Sequence, residues 1–571
     1  MKTLKSLILC LFLLCGAAVL LAQVPQWQWA TVASGTDEDN LNYGSSIAID
    51  NQGNQYICGA FDGTVSFGNH VLTSLGGVIY GDIFVAKLDP AGNWLWAVRA
   101  GDSFTDSGTG IALDGAGNVY VTGQFEGTAS FGSHTLTASG DEDYCDVFLA
   151  KLDPNGNWLW AIQAGGTYVD YGNSIAIDNA GNGYLVGDFE GTASFGNHTV
   201  TAIESNWYEK DVFVAKFDPA GNWLWVVNGG GVGDDWGQNI ALDGNGNIYV
   251  TGAFELTATF GNHTLTITGN DDDTRDIFVA KLDQNGNWLW AVKAGGALWD
   301  MGYNITLDGA GNIYVIGNFE GTATFGNHTL TASGDDEDYG DLFVAKLDQS
   351  GNWLWAVRAG GPLGDSATGI ALDGAGNLYV AGGFGGTATF GDHTLTASAG
   401  EYEIDIFVAK LDTNGNWLWA VKAGGPFIDM AANLALDGAG NAYMTGLCGN
   451  MATFGDHTVT ANEGFNIFVA KLGNNTPVDD DMAPQVTSRL HDAWPNPFGR
   501  DTGTTIKANV PERSTGTLSI YNLRGQKVAS YELSSGLHEI NFSGDNLPSG
   551  IYLYSLQCGD YQETKRLVLL R

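Results

Sequence analysis

Six aspartates recur at one point of a long repeat, Asp106, Asp170, Asp235, Asp300, Asp365 and Asp429, and Asn42 takes that place in the first copy. Each stands five residues before the apolar residue of a strand-like run. If the repeats close into a ring, these positions circle its mouth. Carboxylate oxygens are what a hard cation such as Ca²⁺ requires, in sets of about six to eight. The other reading is local: each Asp accepts backbone N–H bonds and locks its own turn. Evenly spaced ring positions stand too far apart to share one ion, which favours the turn. Acidic runs, Asp141-Glu-Asp143, Asp271-Asp-Asp273 and Asp335-Asp-Glu-Asp338, lack EF-hand spacing and read as solvated loops. Aromatic residues gather in the same variable stretches: Tyr168, Tyr171, Trp207, Tyr208, Trp236, Trp299 and Tyr303. Rings beside carboxylates suit stacking on sugars or recognition of a protein, while packing between loops is the alternative. Trp207, Tyr208, Trp236 and Trp299 are the candidate ligand-binding residues.

Catalytic groupings are not evident. One His occurs per repeat, His70, His134, His198, His263, His328, His393 and His457, always after the same turn. Equivalent residues spread around a ring do not converge on one substrate atom, so general acid–base work by them is not expected. The repeats hold only Arg99, Arg275 and Arg358 as arginines, and no phosphate loop or HExxH motif occurs. The expectation is a protein that is not an enzyme and needs no cofactor beyond the Ca²⁺ considered above.

Composition narrows the partners. Against 64 acidic residues stand 24 Lys+Arg, a net charge of −40, which disfavours nucleic acid because phosphate binding depends on clustered cations. Hydrophobic residues make up 44 % and 82 residues are glycine, the balance of a turn-rich β protein with a large core. At the N-terminus Lys2 and Lys5 precede an apolar run from Leu7 to about Leu21, so residues 1–22 read as an export signal cleaved after Ala22. No later segment is apolar enough to span a bilayer. The four remaining cysteines, Cys58, Cys145, Cys448 and Cys558, have no metal-ligand spacing. Cys58 and Cys448 lie in the first and last repeats and would neighbour each other in a ring, so a disulfide or two buried thiols are both open.

The elements that position these residues follow from the repeat. Asp276-Ile-Phe-Val-Ala-Lys-Leu-Asp283 recurs at 82–89, 146–153, 211–218, 341–348 and 405–412, with a degenerate seventh copy at 466–473, a period of 61 to 65 residues. Each unit reads as four strands. The first is of the type Gly369–Asp373, the second Leu378–Gly382, the third the Phe-Val-Ala-Lys-Leu run and the fourth Trp288–Val292. An extra hairpin such as Thr322–Thr331 falls between the second and third. The seventh unit stops after its third strand, and the missing fourth appears ahead of the first unit as Trp27–Ala30. Residues 23–473 are therefore expected to be an all-β, seven-bladed propeller closed by the N-terminal strand. The motifs Gly-x-x-Ile-Ala-x-Asp, Gly-Asn-x-Tyr-Val-x-Gly and Asp-x-Phe-Val-Ala-Lys-Leu-Asp resemble the SBBP-type bacterial β-propeller repeats. That resemblance implies the fold and leaves the activity open. The Asp-x-x-Gly-Asn turns then share one face, and the connections and inserted hairpins share the other, where a site is expected.

After a linker at 474–492 the period vanishes. Residues 493–571 carry short strands at 504–510, 516–522, 527–533, 538–542, 550–557 and 563–570, expected to form a small immunoglobulin-like β-sandwich. Trp494-Pro-Asn-Pro-Phe498, Ile520–Gln526, Leu547-Pro-Ser-Gly-Ile-Tyr552 and Thr564–Leu570 resemble the type A sorting domain of the type IX secretion system. Its motif residues here are Pro495, Asn496, Pro497, Phe498, Gly550, Ile551, Tyr552 and Lys565. The resemblance implies a Bacteroidota-type host, transit through the periplasm, recognition by the export machinery, and delivery to the cell surface or beyond. An appended adhesion module is the alternative. For the whole chain, the expected role is a secreted, non-enzymatic binding module for an extracellular glycan or protein. Its rival is a secreted polysaccharide-active hydrolase or lyase on the same scaffold.

Overall fold

The structure, a computed structural model, describes residues 24–35, residues 42–473 apart from 78–79, 142–143, 204–208, 270–273, 335–339, 399, 401–402 and 463, and residues 489–570 apart from 491–492, 494, 500–502, 511–514, 535 and 559–560. The expected export signal, Trp207, Tyr208 and most of the acidic runs lie outside the described residues. Two compact units divide the chain, Met1–Asn474 and Asn475–Arg571. All regular structure among the described residues is β-strand.

The fourth repeat is representative. Its strands Asp235–Leu242, Ile248–Glu255, Arg275–Leu282 and Trp288–Ala294 form an antiparallel sheet in chain order. Among the described residues seven such four-stranded arrays follow one another, and in the last the fourth place is taken by Gln26–Gly35, which pairs with Asn466–Gly473 from Gln26↔Gly473 to Ala33↔Ile467. The first strand of each array lies against that of the next, and Met430–Leu436 of the last array lies against Tyr43–Ile49 of the first. Second and third strands are buried on both faces, as their almost unbroken apolar runs require when sheet stacks on sheet. Among the described residues of these arrays seven apolar clusters result, each formed across one junction. One of them joins Ile467 and Val469 of the last array to Ile47 and Ile57 of the first.

The recurrent turn has a chemical cause. Asp243 Oδ1 accepts the Asn245 and Asn247 amides at 2.8 and 2.9 Å, Oδ2 accepts the Asn247 side chain at 2.6 Å, and Gly246 takes a φ of 81°. Fourth strands depart from simple alternation. In each Trp-Leu-Trp run a bulge sets Trp288 opposite Leu282 but Trp290 opposite Lys281. The two indoles consequently reach opposite neighbours. Trp288 Nε1 donates to Asn228 of the preceding unit, and Trp290 Nε1 to Gln349 of the following one. The intervening leucine is turned outward (Leu289 is 44 % exposed).

The inserted hairpins do not simply decorate the loop face, as expected from sequence. Each pairs with the end of the preceding unit's fourth strand: Ser34–Gly35 with Val65–Ser66, Gly101 with Ser130, Gly165 with Ser194, Gly230–Val232 with Thr257–Thr259, Gly295 with Thr324, Gly360 with Thr389, and Gly424 with Thr453. Its other anchor is a phenylalanine in its own unit. Phe390 is fully buried, 4.9 Å from the Phe407 ring and 5.3 Å from that of Trp417. The hairpin therefore ties two units together and covers part of an edge that would otherwise offer unpaired backbone groups.

The second unit holds two sheets, one of Arg489–Leu490, Thr504–Val510 and Gly536–Phe542, the other of Lys527–Leu533, Gly516–Asn522, Gly550–Cys558 and Tyr561–Leu569. Arg489–Leu490, expected in the linker, is part of the first sheet, because Leu490 is buried in the core with Phe498, Ile506, Leu518, Tyr554 and Leu567.

Candidate binding site

Five of the six expected aspartates open their strands, Asp429 stands just before Met430–Leu436, and each carboxylate is buried at its own junction. Oδ2 accepts an amide four residues back: Asp102 N for Asp106, Gly166 N for Asp170, Gly231 N for Asp235, Gly296 N for Asp300, Gly361 N for Asp365 and Gly425 N for Asp429, at 2.6–2.8 Å. These are the turn-locking bonds of the local reading. A second buried aspartate, the first of each Asp-x-Phe-Val-Ala-Lys-Leu run, faces it across one glycine. A Cβ on Gly360 would stand 2.5 Å from Asp341 Oδ1 and 2.7 Å from Asp365 Oδ2, and the φ of 142° also excludes a side chain. Burial, reinforced by this second carboxylate, pushes Asp106 up to about 9 and Asp365 to about 8. Burial pushes Asp429 to about 7 and Asp170, Asp235 and Asp300 well above the carboxylate range. Arg99, Lys293, Arg358 and Lys422 pair with the second aspartate in four junctions. Among the described residues no three His, Cys, Asp or Glu side chains gather as metal ligands.

Two hollows, of about 420 and 400 Å³, lie at the Asp-x-x-Gly-Asn turns, not among the variable connections. Their carboxylates, Asp50, Asp114, Asp178 and Asp243, are already committed to turn amides and to asparagine side chains.

One cluster in the connections breaks the repeat. The Arg275 guanidinium lies between two indoles, 3.8 Å from the ring centre of Trp236 and 4.0 Å from that of Trp299. Its Nε donates to Glu255 Oε1 at 3.0 Å, while Glu255 Oε2 accepts the Asp234 amide at 3.1 Å. A backbone bridge between Arg275 and Trp299 fixes the second ring, and Trp299 remains 47 % exposed. Tyr303 sits in the adjoining strand, where burial raises its hydroxyl pKa against the pull of Arg275. At the places equivalent to Arg275 the other repeats carry Gly81, Cys145, Lys210, Gly340, Ile404 and Phe465. Lys210 alone repeats the theme, with Nζ 4.8 Å from the Tyr171 ring.

Of the candidate aromatics, the structure thus brings Trp236 and Trp299 together around a cation that the sequence reading did not single out. Tyr168 packs on Tyr144. The signal for Arg275 was available: alignment of the seven copies shows an arginine where the others vary. The histidines follow the hairpin turns, one per unit, opposite the buried phenylalanine. All four cysteines are buried free thiols, and burial raises Cys58 and Cys448 far above the usual thiol range.

In the second unit the expected motif clamps the last strand. Asn496 Nδ2 donates to Arg566 O at 2.7 Å and its Oδ1 accepts Val568 N at 2.9 Å, while Phe498 N donates to Val568 O and Phe498 O accepts Leu570 N. Tyr552, 4 % exposed, donates its hydroxyl to Pro548 O, and Lys565 lies 3.7 Å from Glu563. Gly550 and Ile551 open the strand that pairs with Leu569 and Val568.

Residues 492–570 match the family model described as a secretion system C-terminal sorting domain, and residues 95–124, 229–253 and 354–382 match the beta-propeller repeat. Among curated proteins, an uncharacterized WD repeat-containing protein of Acanthamoeba polyphaga mimivirus is 28 % identical over 433 residues, 64 % of this chain and 31 % of its own length. The regulatory protein FlaEY of Caulobacter vibrioides is 26 % identical over 373 residues, 61 % of this chain and 37 % of its own. The chain thus spans about a third of the length of these relatives. Among solved structures, a fungal alcohol oxidase has a TM-score of 0.38 at 11 % identity, covering 96 % of this chain and 100 % of that one. Sqt1 from Chaetomium thermophilum has a TM-score of 0.36 at 10 % identity, covering 77 % and 99 %. The protein is an all-β chain of propeller-type repeats whose sorting domain directs it through type IX secretion to the cell surface or the medium, by way of the export machinery. No helix among the described residues is long and apolar enough to cross a membrane.

Proposed function

We propose that this exported repeat protein is a non-enzymatic binding module that takes an extracellular glycan or protein at the Trp236–Arg275–Trp299 cluster. The observation that carries the reading is the singularity of that cluster. A repeat is its own control: what occurs in every unit holds the scaffold, and what occurs once is available for a task of its own. A cation held between two indoles, with one ring still exposed, is a rigid aromatic platform at low conformational cost. The histidines and strand-three lysines recur around the units and supply no convergent set of acid, base and nucleophile.

The scaffold behind this reading is a seven-bladed propeller spanning residues 23–473 and closed by the N-terminal strand, with an immunoglobulin-like sandwich over 493–571. Support for closure comes from the pairing of Gln26–Gly35 with Asn466–Gly473, the cluster shared by first and last units, and the hairpin contact of Val65–Ser66 with Ser34–Gly35. The reading is tested by measuring binding of the purified mature chain to arrays of extracellular glycans and matrix proteins, beside Trp299→Ala. Loss of signal by roughly tenfold or more in the variant is the expected result. Binding that is unchanged in Trp299→Ala rules this site out.

A further inference from the structure

Resting on the reading of the Trp236–Arg275–Trp299 cluster as the binding site, we propose that its ligand is an uncharged pyranose of an extracellular glycan, stacked on the outer face of Trp299. Trp299 presents one face to the Arg275 guanidinium and leaves 47 % of its surface to solvent. A flat apolar face backed by a fixed group suits the axial C–H face of a sugar ring. The hydrogen-bonding groups beside it are directional, and its cation is already offset. Glu255 pairs with Nε of Arg275, so the two charges offset each other, while among the described residues the guanidinium Nη groups donate to no protein atom. Hydroxyl oxygens of a sugar stacked on Trp299 would accept from those N–H groups.

Charge decides between neutral and acidic sugars. The chain carries a net charge of −40, and in the sequence Asp271, Asp272 and Asp273 stand two to four residues before Arg275. A uronate or sulfated polymer would approach against that field, and its one cationic contact is already neutralised by Glu255. A protein partner fits less well. A stable protein interface needs about 800 Å² per side with an apolar centre, whereas this cluster is tied to carboxylates, Trp299 N–H donating to Glu320 and Arg275 to Glu255.

The test uses the mature full-length chain and follows tryptophan fluorescence and calorimetric titration. The probes are cello-, manno- and galacto-oligosaccharides, with oligogalacturonate and sulfated galactan as acidic counterparts. At least one neutral oligosaccharide is expected to bind, with an affinity that stays within about twofold between roughly 20 and 500 mM salt. Trp299→Ala, whose native ring is exposed, is expected to lose that affinity by roughly tenfold or more. Phe427→Ala, which removes a ring 42 % exposed in another connection, should bind as the parent does. Silence of the whole neutral panel overturns the proposal, as does salt-sensitive binding confined to the acidic probes, or neutral binding that survives Trp299→Ala. Deglycosylated mucin in the same titrations distinguishes failure of the sugar from failure of the site. If it binds in a Trp299-dependent way while the neutral sugars do not, the site stands and the sugar falls. If neither binds, both fall.

Discussion

At the scale of single residues, the protein uses one amino acid for two opposite electrostatic tasks. Burial acts to raise turn aspartates such as Asp243 and Asp373, but hydrogen bonds from asparagine side chains and turn amides, preceded at Asp373 by one from Lys410, hold them below the usual carboxylate value. Their contribution to stability is present above the unfolded carboxylate pKa and is lost as pH falls through their folded value. Junction aspartates behave in reverse. Asp365, 3 % exposed and facing Asp341, has its pKa raised to about 8, so its contribution is complete below the unfolded value of about 4 and is lost as pH rises to about 8. Each such group costs up to about 1.4 kcal/mol per pH unit across that window. Asp365→Asn keeps an oxygen for the Gly361 amide and removes the titration. Its melting temperature should match the parent near pH 4 and exceed it near pH 8 in thermal denaturation. An identical pH dependence in parent and variant would show that Asp365 does not titrate there.

At the scale of elements, the hairpin between the second and third strands is what distinguishes this repeat, because it belongs to two units at once. Phe390 anchors it to its own unit while Thr389 N–H donates to Gly360 O of the preceding one at 2.9 Å. Phe390→Ala should therefore cost about 3–5 kcal/mol, the range for a buried aromatic, and loosen the hairpin from both units. Denaturant unfolding measures the first effect and amide exchange over residues 387–396 the second. A loss below about 1 kcal/mol would mean that the hairpin carries no load. The hairpin strands themselves were legible from Thr-Ala-Thr-Phe-Gly-Asn-His and its turn. Their pairing partner was not, since nothing in Thr387–Thr396 encodes contact with a strand some thirty residues upstream. Trp-Leu-Trp misleads in a similar way: period-two reasoning sends both indoles to one face, and only the bulge opposite Leu282 reveals that they diverge. The site was half legible. Trp236 and Trp299 stand out as unusual aromatics, but Arg275 joins them only through a backbone bridge between segments twenty-four residues apart.

At the scale of the whole molecule, the proposed ring and a linear stack of the same units make different demands on the first strand. In a linear array each unit leans only on its neighbours, so loss of a terminal strand destabilises one end and leaves the rest. In the ring, Gln26–Gly35 completes the last sheet, Trp29 donates to Pro90 O in the first unit, Trp27 donates to Lys422 O in the sixth, and Ser34–Gly35 receives the first hairpin. Removing residues 24–35 would then expose the edge of Asn466–Gly473, strip a fully buried Phe454 of its Trp27 neighbour, and unfasten the closing junction together. The truncated chain is expected to melt well below the parent in one cooperative step and to self-associate through the open edge. A synthetic peptide of residues 24–35 added in trans should reverse both effects. Melting and sedimentation read the outcome. A truncated chain that stays monomeric and keeps the parent's transition for six of its units would favour the linear stack over the ring.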